Sequence, residues 1–245
     1  MTVTTEPTTD PTPVANPAED TAEVPMVDLY RDIHTGIRAE LFATTVQAGS
    51  CDCSDRTARV QLGGRVEALV TLLQTHAEHE DSWVQPSIES VLPIVAETIV
   101  SDHHTLDQRI SDIHEMALTI AESGGPRARD LVHEVYLELA SFTGAYLAHQ
   151  DLEERVVMPA LAAALGPVAV LEIHTSIVGN IPPADMATSL ALMIPAMNVD
   201  DRTELLGGIR MDAPEEVFAG IWGLAGSGLA PPDVAALAGR LGISA

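Results

Sequence analysis

The chain has 245 residues, 46% of them hydrophobic and only 3% aromatic, with a formal charge of −24 in which all twelve basic residues are Arg. So acidic a surface repels phosphate backbones and anionic headgroups, which argues against nucleic acid and membrane surfaces as partners. A core drawn from Leu, Val, Ile, Ala and Met suits packed helices better than a β-sandwich.

Residues 1–24, rich in Thr, Pro and Glu, have almost nothing to bury and read as a disordered tail. The N-terminus has neither a basic start nor an apolar stretch, and no apolar run reads as reaching the roughly 18–20 residues of a membrane span. A soluble cytoplasmic protein is the expectation. From Val27 the pattern turns helical, with Val27, Tyr30, Ile33, His34, Ile37 and Leu41 on one stripe. The stretch 47–55 reads as a loop by its turn residues, and its Cys51 and Cys53, without further Cys or His partners, as an incidental surface pair. A second helix is predicted over 57–83, a third from Leu92 to Ala121 with Pro93 in its first turn, and a fourth over 128–157. Four long amphipathic helices with short breaks predict an all-α, up-and-down four-helix bundle over residues 25–165.

One motif occurs twice. His76 is followed by Glu80, Asp81 and Pro86, and His149 by Glu153, Glu154 and Pro159, at matching positions. Residues i and i+4 stand one above the other on a helix, so each His and Glu can bind one metal from one face. Each Pro is expected to end its helix a turn or so later. A bare His-x-x-x-Glu arises by chance about once in such a chain, but two copies with the extra acid and the spaced Pro do not. His34 and His103 fall in early turns of the first and third helices, His76 and His149 in late turns of the second and fourth. In an up-down-up-down bundle these positions share one level, where Glu80 and Glu153 join them. Four imidazoles and two carboxylates are costly to bury together without something that satisfies them, and iron, manganese or zinc would do so.

The arrangement His34 … His76-x-x-x-Glu80 … His103 … His149-x-x-x-Glu153 resembles the hemerythrin-like, His–His–Glu cation-binding domain, over about residues 26–165. The resemblance implies a four-helix bundle holding two non-haem iron ions. His34, His76, His103 and His149 would be terminal ligands and Glu80 and Glu153 the bridges, with one position open for dioxygen, peroxide or nitric oxide. Invertebrate hemerythrin has a fifth His ligand, and its fourth-helix carboxylate is an Asp one residue further along; the chain departs from both, which counts against simple reversible oxygen carriage.

Neighbouring residues read more plainly. His103 faces the core, with Ile99, Leu106 and Ile110 around it, whereas His104 lies on a mostly polar stripe. Glu154, about 100° round the helix from Glu153, is expected to turn away from the site. His79 reads as exposed or as a donor to a ligand, Asp107 as an edge residue and Tyr30 as core; His114, His133 and His174 receive no role. Residues 166–245 read as short helices over 168–178, 184–198, 200–210, 214–224 and 232–241, with Asp212 capping the fourth. Met186, Met193 and Met197 share a core-like face, and the segment is expected to pack on the bundle, on a second copy or on a protein partner. Two function classes follow, a binder or sensor of dioxygen, nitric oxide or peroxide and a di-iron redox enzyme, with iron sequestration as a third.

Overall fold

The computed structural model describes Val24 and residues 26–243; the segment read as a tail lies outside them apart from Val24. Helices α1 (Arg31–Ser50), α2 (Arg56–Trp83), α4 (Pro93–Glu122) and α5 (Gly125–Leu152) form the bundle, and the short α3 (Gln85–Val91) links α2 to α4. A π-helical segment, Glu153–Val157, carries α5 into α6 (Met158–Asn180). Then follow α7 (Pro183–Ala196), α8 (Val199–Asp212), α9 (Glu215–Gly228) and α10 (Pro231–Leu241).

Local chemistry sets the helix starts. The Asp28 carboxylate accepts from the backbone N–H groups of Tyr30 and Arg31, both at 3.0 Å, and Asp55 caps α2 by accepting from Thr57 at 2.8 Å. Pro occupies the first turn of α3, α4 and α5, where its missing N–H costs nothing. Asp212 is not the cap expected for α9: it ends α8, and Pro214 stands at the α9 N-cap.

Cross-helix pairs fix the register. Arg65 grips the Glu40 carboxylate at 2.7 and 2.9 Å between α2 and α1, and Thr45 meets Thr143 at 3.1 Å between α1 and α5. Gln74 donates to Asp107 at 2.7 Å and Arg59 to the Ile120 carbonyl at 3.2 Å between α2 and α4, while Arg109 reaches Ser141 at 3.0 Å between α4 and α5. Taken with the pairs at the histidine level described below, residue numbers rise on one helix as they fall on its neighbour, so adjacent helices run antiparallel.

The prolines of the repeated motif do not simply stop their helices. Pro86 sits in the first turn of α3, an element absent from the sequence reading. At Pro159 the helix continues. A proline there offers no N–H to the preceding turn, and the chain opens into the wider π form, in which Met158 bonds the Glu153 carbonyl five residues back. The break comes at Gly166, whose φ of 75° and ψ of 173° suit a residue without a Cβ. Gly125–Asn180, which this break divides, includes an 18-residue window of mean hydropathy 2.0 that is only 22% buried, so the run from α5 into α6 presents an apolar surface. The sequence pattern instead predicts a fourth helix ending at Val157 and a further one starting at Val168.

Buried side chains form three clusters. The first fills the bundle beyond the histidine level, from Ile37 and Leu73 to Ile120 and Leu139. The second closes the other end, where α3 and α6 bring Ile88, Leu161 and Val170 against Tyr30, Ile99 and Val157. The third, around Leu190, Met193, Ile194, Met197 and Leu206, belongs to α7–α10, with Met186 packed against it. This layer meets the bundle at α1. A Cβ on Gly36 would lie 3.1 Å from the Leu192 side chain and 3.4 Å from the Met193 backbone, and Ile33 packs against both the first and third clusters. Cys51 and Cys53 are half-buried against the first cluster rather than at the surface, and both are free thiols.

Gly36→Leu should therefore cost about 1–3 kcal/mol by overpacking. Gly64→Ala, where an added Cβ meets nothing within 4 Å, should stabilise by roughly 0.5–1 kcal/mol. Denaturant titration of both variants checks the pair.

Candidate metal centre

Between the first two clusters lies a polar layer. His34 follows Tyr30 by one turn and precedes Ile37; His76 lies between Leu73 and Val84; His103 between Ile99 and Leu106; His149 between Tyr146 and Val157. His34, His76, Glu80, His103, His149 and Glu153, the six residues expected at the site, meet here, and each helix delivers its His from a core-facing position. His34 is fully buried, and Glu80, His76, His149 and Glu153 are at most 8% exposed.

Every imidazole turns Nε2 inward. His34 and His76 form one pair, with Nε2 atoms 3.2 Å apart. His103 and His149 form the other, their rings edge to face at 4.8 Å. The carboxylates lie between the pairs. Glu80 places Oε1 3.2 Å from His76 Nε2 and 3.7 Å from His34 Nε2, and Oε2 3.3 Å from His103 Nε2. Glu153 places Oε2 3.5 Å from His34 Nε2, and Oε1 3.2 Å from His149 Nε2 and 3.9 Å from His103 Nε2. Each acid thus offers one oxygen to each histidine pair. Ligand atoms of Glu80, His103, His149 and Glu153 lie within 4.8 Å of one another, as do those of His34, His76 and Glu80.

Carboxylate oxygens and imidazole nitrogens suit a transition-metal cation. All four oxygens of Glu80 and Glu153 are buried without a hydrogen-bond partner, as is His103 Nε2. Buried polar atoms are seldom left so, and these converge, so the residues present fit bound cations. A family model, the hemerythrin HHE cation binding domain, matches residues 26–161. The chain belongs to this family. No curated protein and no solved structure matches it.

The hemerythrin-like site also has outer partners. His34 Nδ1 donates to Glu154 Oε1 at 3.0 Å, and the same oxygen accepts from Arg38 at 2.7 Å. His103 Nδ1 donates to Asp81 at 2.8 Å, and Asp102 lies 3.6 Å from His149 Nδ1. A carboxylate on the outer nitrogen fixes the tautomer and makes the inner nitrogen a better ligand. The expectation that Glu154 turns away fails: its carboxylate reaches the outer nitrogen of His34 on α1. Asp81, present in the repeated motif, has the equivalent task on His103. His104 is exposed, His79 is half-buried and outside both donor sets, and Asp107 sits at an edge bonded to Gln74. Tyr30 is core, 1% exposed, its ring 5.2 Å from that of His34 and its hydroxyl unpartnered.

Charge in the layer is finely opposed. Burial works against ionised His34, yet the hydrogen bond to Glu154 and the nearby Glu80 and Glu153 carboxylates raise it to about 9. His103 is raised to about 9 in the same way, against burial, by Glu80 and Asp81. Burial lowers His76 to about 4. Glu80 is held well below the usual carboxylate range, against burial, by the adjacent imidazoles of His76, His103 and His34, whereas burial and the charge of Glu80 push Glu153 up. Without a cation, protons on His34 and His103 hold the acids together.

Glu153→Ala should strip the metal, whereas Glu154→Ala should keep it at an affinity lower by about tenfold to a hundredfold, measured by competition with a chelator. Metal entry must also displace the protons on His34 and His103, so between pH 7 and 9 affinity should rise with pH. The slope should reach about tenfold per pH unit for each displaced proton. Calorimetry at pH 8 in buffers of different ionisation enthalpy should detect about two protons released on full loading.

Proposed function

We propose that the chain is a non-haem di-iron protein that binds or senses dioxygen, nitric oxide or peroxide in its hemerythrin-like bundle. One observation carries the reading: Glu80 and Glu153 each offer one oxygen to the His34–His76 pair and the other to the His103–His149 pair. That is the donor pattern of two cations bridged by two carboxylates, with two imidazoles on each. His, Glu and a hard–soft balance between them suit iron. When bound, the iron pair supplies a redox-active position for a small oxygen- or nitrogen-containing ligand. The protein's part is to orient the His34 and His103 imidazoles through Glu154 and Asp81, and to set the layer between two apolar clusters. Tyr30, with its unpartnered hydroxyl beside His34, has a hydrogen bond to give. Ile33, packed on both bundle and C-terminal layer, links the site's first helix to α7–α10.

A second reading, a di-iron redox enzyme acting on peroxide or a small organic substrate, is favoured by a cleft of ≈ 460 Å³ that includes His103 in its wall. The room exceeds what a diatomic ligand needs.

Protein purified from iron-replete medium should carry about two iron atoms per chain, as paired ligand sets of this kind do. Reduced anaerobically and exposed to air or nitric oxide, it should show a stable, reversible absorption band. Oxygen evolution or rapid loss of added peroxide would move the assignment to the enzyme, and one zinc per chain with no iron would overturn the di-iron reading.

A further inference from the structure

The cleft lies between α2 and α4 over the buried floor of α5. Helix α2 contributes Leu73, Gln74, Ala77, Glu78 and Asp81, and α4 contributes Val100, His103, His104, Leu106, Asp107 and Ile110; Phe142 and Tyr146 form the floor. On each helix these positions recur at the spacing of one face. The lining is chemically divided. Leu73, Leu106, Ile110, Phe142 and Tyr146 are buried and apolar, whereas Glu78, Asp81 and Asp107 are exposed carboxylates around the opening. No Arg lines the cleft.

We propose that this cleft binds a protonated organic amine with an apolar body, whose ammonium head sits among Glu78, Asp81 and Asp107 beside the outer nitrogen of His103.

Four observations select this class. The volume, ≈ 460 Å³, is that of a small-molecule site. Three carboxylates outnumber the one imidazolium, His103, among the lining residues, so the cleft repels an anionic ligand and attracts a cationic one. A bare metal ion would use none of the apolar floor, and two of the three acids already accept bonds, Asp107 from Gln74 and Asp81 from His103. A neutral ligand would leave the carboxylates unused. An ammonium head on an alkyl or aryl body uses both halves of the lining.

The placement has a consequence for the centre. Asp81 accepts the Nδ1 proton of His103 at 2.8 Å, while His103 Nε2 faces Glu80 at 3.3 Å. A cation that draws Asp81 toward itself weakens its hold on His103 and thus changes the ligand strength of the imidazole. Occupancy of the cleft is thereby reported at the metal. This second step rests on the di-iron reading; the binding step does not.

The test is calorimetric titration of the purified full chain at 150 mM salt, where general attraction to the acidic surface is screened beyond about 8 Å. The probes are n-hexylamine, protonated at pH 7.5, with 1-hexanol and hexanoate as the neutral and anionic counterparts. Hexylammonium should bind once per chain, hexanol at least tenfold more weakly and hexanoate not at all. Val100→Trp, on the exposed rim, and Ala77→Trp, in the wall, should each abolish binding, with folding checked by circular dichroism. If Ala77→Trp does not fold, the rim variant alone decides. Paired Glu78→Gln and Asp107→Asn should weaken binding about tenfold, whereas Glu115→Gln, outside the cleft, should leave it unchanged. Hexanol binding as tightly as the amine, or full binding in Val100→Trp, would overturn the proposal. In iron-loaded protein the amine should also shift the visible absorption. If the protein carries no iron, calorimetry still decides the cleft; if it carries two irons and binds no amine, only the cleft assignment falls.

Discussion

Two carboxylates facing each other in a dry layer are the constraint on which this bundle depends. Glu80 and Glu153 are almost wholly buried, and their four oxygens have no hydrogen-bond partner. Uncompensated, such a pair would cost several kcal/mol per charge. The four imidazoles, arranged so that each acid spans two of them, turn that cost into a binding site. The apolar clusters on either side then keep water away, so a cation in the layer would meet its ligands at full electrostatic strength.

The closure of the layer explains elements that otherwise look incidental. Helix α3 and the start of α6 complete the cluster beneath the site, where Ile88, Leu161 and Val170 cover the rings of Tyr30 and its neighbours. Without them the ends of α2 and α5, the two helices that carry His-x-x-x-Glu, would open to solvent at the motif itself. The C-terminal layer approaches from the side, against α1, where Gly36 permits contact two residues after His34. The site is therefore held by packing from three directions and by carboxylates on the outer nitrogens of His34 and His103.

What could be seen in the sequence was what depends on regular helical spacing. The pairs His76/Glu80 and His149/Glu153 were legible because i and i+4 share a face, and His103 was separable from His104 because its neighbours at one and two turns are apolar. Spacing failed elsewhere. Glu154 was placed a third of a turn away from the site by α-helical geometry, and spacing along one helix does not show that α1 sets the outer nitrogen of His34 within its reach. The helix α3 was missed because seven residues containing Pro, Ser and Glu carry too little periodicity. The apolar surface from α5 into α6 was missed because Pro159 was expected to end the fourth helix, whereas the helix runs on to Gly166. The cleft over Phe142 depends on how α2 and α4 lean together, which no single helix encodes.

The π segment also bears on how such a site can change. The wider turn at Glu153–Val157 begins at the two acids, Glu153 between the histidine pairs and Glu154 on the outer nitrogen of His34. Loss of a single residue from this segment would restore the regular winding and rotate everything that follows, Val157 and Leu161 included, relative to the lower cluster. Ligand choice at the fourth helix and the seal beneath it are thus tied to one register. A lineage could exchange which acid serves as the inner one only by re-aiming the plug of apolar side chains at the same time.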